Sequence, residues 1–188
     1  MALLYYVTHP SVAIDKTTNP AGWDLSERGK EEAKRLLGQD FWPNIQLVCT
    51  SSEPKSRSVG AMVAAEFGIP VEEHQELGEA DRSKTPFVPL EEYMQAIQEA
   101  YAKPDEHVRG WESHHKMSLR NQKAIESLLA AHPDKTIAII GHGGAGTCVK
   151  CYLGKMPLSF SQDPQRTGCI FVADTTTRMI VRDWYSYC

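Results

Sequence analysis

Two histidines, His9 and His142, each follow an apolar, β-prone run: LLYYV at residues 3–7 before the first and TIAIIG at residues 136–141 before the second. Arg57 follows a third such run, and Glu79 and Asp81 follow a fourth. In a parallel α/β sheet, ligands bind outside the carboxyl ends of the strands, so four strand ends would bring these side chains to one site. A neutral imidazole can attack phosphorus. A second imidazole and a guanidinium, whose fork matches two oxygens, can hold the phosphoryl group. A carboxyl can protonate the leaving oxygen. The set points to phosphoryl chemistry. From residue type alone, either histidine suits the attack and either Glu79 or Asp81 the acid.

The elements that must position these residues alternate between strand and helix. The run at residues 3–7 is nearly continuous in apolar residues, as expected of a strand buried on both faces. Residues 10–24 have no periodicity and carry Pro10, Asn19, Pro20 and Gly22, which makes them a loop of functional length. Ser26 then caps a helix with acidic residues near its start. A second unit has a strand at residues 45–50, a polar turn, and a helix opened by Pro54 and stopped by Gly68. Residues 71–77 make a third strand. Residues 84–116 mix helix and loop, broken by Pro86, Pro89 and Pro104, and form a small cap. Residues 113–131 form a helix with Ser113 as N-cap and Leu119, Ile125, Leu128 and Leu129 on one stripe. After TIAIIG comes another helix, then a closing hairpin from residues 169–173 and 179–184. The expected fold is a single α/β domain over residues 1–188, a three-layer sandwich with a mostly parallel sheet between helices.

The 188 residues are 41% hydrophobic and 23% charged, enough to build one sizeable core. A formal net charge of −4 argues against nucleic acid or an anionic membrane as partner. No apolar run reaches the roughly 20 residues of a spanning helix, and the N-terminus lacks signal-peptide features, so the cytoplasm is the expected compartment. Five cysteines, an odd number, fit a reducing environment. Cys148 and Cys151 form a C-x-x-C inside a helix with no second pair, which argues against zinc. Gly141, Gly143 and Gly146 satisfy G-x-G-x-x-G, but too little chain follows for a dinucleotide-binding half. Adjacent His114 and His115 point apart on a helix and read as surface residues, as do His107 and His132. Trp23, Tyr93 and Trp111 could line a substrate cleft, although packing is the commoner fate of aromatics. Oligomeric state is not readable from the pattern.

Taken in order, the motifs resemble those of the histidine phosphatase superfamily, also called phosphoglycerate mutase-like. YYVTHP occupies the place of a strand ending in R-H-G, and LSERGKEEA is similar to L-T-x-x-G-x-x-Q-A. CTSSEPKSRS is similar to S-S-x-L-x-R-A, ELGEADR to an L-x-E segment, GWES to G-x-E-S, and IAIIGHGG to V-x-V-x-H-G-G. The resemblance implies a phosphohistidine mechanism on a small phosphate ester. In it His9 is the nucleophile, Arg57 and His142 are phosphate-pocket residues and Glu79 is the proton donor, with no metal or organic cofactor. Thr8 stands in place of the R-H-G arginine and Pro10 in place of its glycine. Losing one charged donor to a phosphoryl transition state costs about 100- to 1000-fold in rate, by analogy with oxyanion-hole deletions. Arg82, Lys16 and Arg28 are the candidates to supply the missing charge, Arg82 first. The leading expectation is a phosphatase, slow because of Thr8. The alternatives are a catalytically weakened phosphoester-binding or regulatory protein and a mutase-type phosphotransferase.

Overall fold

The computed structural model describes residues 2–85 and 87–188, so the break expected at Pro86 lies outside the described residues. The strands are β1 (Leu3–Thr8), β2 (Leu47–Thr50), β3 (Val71–Glu73), β4 (Ile137–Gly141), β5 (Cys169–Asp174) and β6 (Ile180–Ser186). The helices are α1 (Glu27–Leu37), α2 (Pro54–Phe67), α3 (Leu90–Ala102), α4 (His114–Ala131) and α5 (Gly143–Leu153). The six strands form one sheet in the order β3-β2-β4-β1-β5-β6. β3, β2, β4 and β1 are mutually parallel, and β5 runs antiparallel to both β1 and β6.

The alternation of side chains along the strands builds two cores, one on each face. On one face Val7, Val48, Ala138 and Ile140 pack with Ala33 and Leu36 of α1 and Val59 and Val63 of α2. On the other, Tyr6, Cys49, Ile137 and Ile139 pack with Ile125 and Leu128 of α4 and Val149 of α5. Every β4 residue is buried, which explains the unbroken apolar run in its sequence. The helix starts follow the chemistry expected of them: Ser26 Oγ accepts the Gly29 N–H, Ser113 Oγ accepts the Lys116 N–H, and Pro54 opens α2.

Two local expectations are corrected. The third strand ends at Glu73, and residues 75–77 turn into a 3-10 helix that buries Leu77. Leu119 faces solvent at 47% exposure, because the buried stripe of α4 runs through Met117, Asn121, Ile125 and Leu128. The cap expected at residues 84–116 is built around α3 and has its own small core, in which Ala96, Ala100, Val108 and Trp111 are buried. Among the described residues no helix is long and apolar enough to cross a membrane.

Candidate active site

β1 and β4 are parallel neighbours with Thr8 opposite Gly141, so the residues that follow them leave the sheet side by side. The ring centroids of His9 and His142 are 5.3 Å apart. Both belong to the wall of a cavity of about 630 Å³ between the sheet edge and the cap.

His9 Nδ1 lies 2.7 Å from the Pro10 carbonyl oxygen. A carbonyl can only accept, so Nδ1 carries the proton and Nε2 keeps its lone pair. Desolvation, with help from nearby His142 and Lys55, pushes His9 down to about 3 against the weaker pull of the Pro10 carbonyl. His142 is fully buried and likewise lowered to about 3, chiefly by burial. Both imidazoles are therefore neutral near pH 7. His142 Nε2 is 2.8 Å from Ser51 Oγ and 3.4 Å from Glu53 Oε1. Its Nδ1 is buried without a hydrogen-bond partner among the described residues, an atom that a ligand oxygen would satisfy.

Glu79 lines the cavity, and its carboxylate accepts the N–H of Ala80 at 3.0 Å and of Gly144 at 3.0 Å. Burial alone would raise its pKa, but His142, the Arg82 guanidinium and the Ala80 N–H together hold it below the usual carboxylate range. A side chain at position 144 would displace the Glu79 carboxylate, since a Cβ there would come within 2.6 Å of Glu79 Oε1. Asp81, the other candidate acid, lies outside: it is exposed, and its carboxylate accepts the Ser83 N–H. The segment carrying Glu79 is clamped by Arg120, which pairs with Glu112 at 2.7 Å and donates to the Gly78 carbonyl at 3.1 Å. That clamp gives Glu112 of GWES a structural role.

The cations differ most from expectation. Arg57 does not reach the cavity; its side chain is 60% exposed and pairs with Glu73 at 3.3 Å. Counted from Ser51, the arginine of S-S-x-L-x-R-A falls on Ser56, which is buried and spends its hydroxyl on the Ile140 carbonyl and the Ser51 N–H. The cation that lines the cavity from α2 is Lys55. Residues two apart on a helix are separated by about 200°, so Lys55 and Arg57 must face opposite ways. Lys55 Nζ donates to Glu53 Oε2 at 2.5 Å and to the Pro20 carbonyl at 2.8 Å. Glu53 is thereby a hub, because its Oε1 also accepts the Glu79 N–H at 2.8 Å.

Thr8 lines the cavity, but its hydroxyl accepts the Cys169 N–H at 2.9 Å and donates to the Cys169 carbonyl at 3.3 Å. It is spent on β5 and leaves no donor for a phosphate. Arg82 and Lys16 do line the cavity. Arg82 sits over the rings of Tyr93 and Trp111, 5.2 and 5.7 Å from their centroids, and Lys16 Nζ lies 5.1 Å from that of Phe87. Arg28 is engaged elsewhere, pairing with Glu32 at 2.7 Å.

Sequence reasoning missed Lys55, Glu53, and the cavity-lining Asp163 and Arg166. A helical wheel over the first turn of α2 would have exposed the first; Glu53 falls on an unspecified position of S-S-x-L-x-R-A, and Asp163 and Arg166 lie in no motif. His114 is also corrected: it is 3% exposed, lines the cavity and lies 4.3 Å from the Tyr101 ring centroid. His132 is half-buried and lies 3.5 Å from Glu72. Trp23, Tyr93 and Trp111 all line the cavity. The glycines of G-x-G-x-x-G serve packing, since a Cβ on Gly141 or Gly146 would strike the Tyr6 ring, and α5 leads to an antiparallel strand rather than a parallel one. All five cysteines are free thiols. Among the described residues, the group with donor atoms close enough for a metal is Cys49, Glu72 and His74, at the β2–β3 edge and outside the cavity.

The model of the histidine phosphatase superfamily (branch 1) matches residues 9–181, nearly the whole chain. The chain belongs to that superfamily. Solved structures of similar fold include YhfR of Bacillus stearothermophilus, at 18% identity and a TM-score of 0.78, covering 97% of this chain and 95% of that one. The α-ribazole phosphatase of Shigella flexneri is 19% identical with a TM-score of 0.75, covering 99% and 97%. A mycobacterial glucosyl-3-phosphoglycerate phosphatase is 14% identical with a TM-score of 0.77, covering 98% and 96%. No curated protein matches the chain significantly. As a histidine phosphatase-superfamily member, the chain keeps a histidine at the places of R-H-G and H-G-G while carrying Thr8 and Ser56 where R-H-G and S-S-x-L-x-R-A have arginine.

Proposed function

We propose that this protein is a phosphatase that hydrolyses a phosphomonoester through a phosphohistidine on His9. The observation that carries the reading is the Nδ1–H donated to the Pro10 carbonyl, which leaves a neutral imidazole with a free Nε2 lone pair beside His142 in the cavity wall. Nε2 attacks phosphorus, the P–O ester bond breaks, and the departing alkoxide takes a proton from Glu79. Water then attacks the phosphohistidine, returns a proton to Glu79 and releases inorganic phosphate. Glu79 must enter the cycle protonated, although its pKa is depressed in the free protein. The substrate supplies the change: a phosphoryl anion beside a carboxylate disfavours the ionised carboxylate and raises its pKa. Lys55 and Arg82 are the cations nearest to hand, with His142 Nδ1 as a further donor.

A second reading is a phosphoester-binding protein with little turnover. It is favoured by the charge balance, since Lys55 already pairs with Glu53 and Arg82 lies beside Glu79. Hydrolysis of an aryl phosphate by wild type, His9→Ala and Thr8→Arg across pH 5 to 8 separates the two. Turnover abolished in His9→Ala supports the enzyme, and a gain in Thr8→Arg identifies the missing cation as the limiting defect. Turnover that survives His9→Ala overturns the phosphohistidine. Thermal stabilisation by phosphate without turnover selects the binding protein.

A further inference from the structure

Resting on the phosphatase reading, we propose that the substrate is the phosphomonoester of a bulky apolar alcohol, a long-chain alkyl or polycyclic aryl group, rather than of a sugar or another polyol. The cavity of about 630 Å³ is of the size that takes a whole drug-sized molecule, far more than a phosphoryl group. His9, His142 and Glu79 line it beside the start of α5, with Asp163, Gln165, Arg166 and Thr167 as further polar lining, while apolar atoms make up most of its surface. The rest is walled by the cap and by the loop after β1. Tyr93, Met94 and Ile97 project from α3, and Trp23, Phe87 and Val88 from the flanking segments.

Two features go beyond ordinary pocket lining. Leu90 and Ile14, both on the cavity wall, are 76% and 62% exposed, among the most exposed large apolar residues described. Apolar side chains left in water at a cavity mouth are covered when an apolar ligand enters. The cations there are also covered by rings, Lys16 by Phe87 and Arg82 by Tyr93 and Trp111. A polyol needs a hydrogen-bond partner for each buried hydroxyl, and this wall would leave most of them unpaired. An alkyl chain needs none and gains by leaving water. Each buried methylene is worth about 0.8 kcal/mol, which is roughly fourfold in kcat/KM.

The test is a series of n-alkyl phosphates from ethyl to decyl, with glycerol phosphate and a hexose phosphate alongside, assayed on wild type, His9→Ala and Leu90→Ser. Because Leu90 is exposed, its replacement spares the core. The expected result is a His9-dependent kcat/KM that climbs two- to fourfold per methylene until the cavity fills. Leu90→Ser should cut the decyl-to-ethyl ratio by about fivefold. His9-dependent turnover that is flat along the series, or highest on the polyol phosphates, overturns the apolar assignment and leaves the phosphatase standing. If no ester is turned over, the phosphatase reading falls, and calorimetry with the matching n-alkylphosphonates decides the cavity separately. Affinity that tightens with chain length supports the apolar assignment, and affinity independent of it overturns it.

Discussion

Replacing Lys55 with methionine removes the positive half of an ion pair that is almost wholly out of water, with side chains 5% and 10% exposed for Lys55 and Glu53. Nζ and Glu53 Oε2 are 2.5 Å apart, and Nζ also holds the Pro20 carbonyl of the loop after β1 at 2.8 Å. Breaking one side of such a pair strands a buried charge and costs about 3–5 kcal/mol, whereas replacing both partners by neutral groups is often close to neutral. For a chain of this length each kcal/mol is worth about 2–4 °C, so Lys55→Met should melt roughly 6–20 °C lower. The double variant Glu53→Gln/Lys55→Met should regain most of that loss. The regain will be incomplete, because Glu53 also accepts the Glu79 N–H. Thermal unfolding and urea titration at pH 7.5 measure both. A loss below about 1 kcal/mol, or a double variant no more stable than the single one, would refute the buried pair and with it the assignment of Lys55 to the cavity.

Arg57→Ala should leave activity within about twofold and stability within about 0.5 kcal/mol, because an exposed pair with Glu73 contributes little; enzyme assay and melting check both. Gly144→Ala places a Cβ within 2.6 Å of Glu79 Oε1, so turnover should fall at least tenfold with a smaller change in melting temperature. Acid should destabilise the fold early. His9 and His142 sit near 3 when folded against 6.5 unfolded, so below about pH 6.5 the unfolded chain takes up protons that the native state refuses. Stability is complete above that value and falls by about 1.4 kcal/mol per pH unit for each histidine as pH drops toward 3, so His142→Gln should flatten the slope of a urea series.

The fold was readable because period and punctuation agree along the chain. β4 is apolar at every position and buried at every position, and Pro54 and Ser113 stand where their helices begin. His9 and His142 were readable for the same reason, since each ends a strand and parallel pairing then does the rest. Arg57 was misread because a motif with its arginine missing invites the nearest arginine, and linear proximity ignores the 100° turn per helical residue. Thr8 stands where R-H-G has its arginine, but its hydroxyl lies on the face that meets Cys169, a residue 161 positions away, and no local pattern carries that information. His114 was placed at the surface by its neighbour His115, yet only one of two successive helical residues can face the cap, and Tyr101 takes that one.

With Thr8 and Ser56 in the arginine positions, the cations nearest the two histidines are each matched by a carboxylate, Lys55 by Glu53 and Arg82 by Glu79, and both imidazoles are neutral. Such a wall offers little net attraction to a dianion. A substrate bound here must draw its affinity from elsewhere, and the apolar wall of the cap is the large surface available. A phosphate monoester also carries less charge below its second pKa of about 6, which a neutral wall tolerates better than a dianion. On the proposed reading the same balance favours protonated Glu79 and monoanionic substrate together. Turnover should therefore be greatest on the acid side of neutrality, with its lower limit set by the acid sensitivity of the buried histidines. A Thr8→Arg variant that moved the optimum toward neutral pH would show that charge, rather than the nucleophile, sets the profile; an optimum unmoved by the added cation would count against this account.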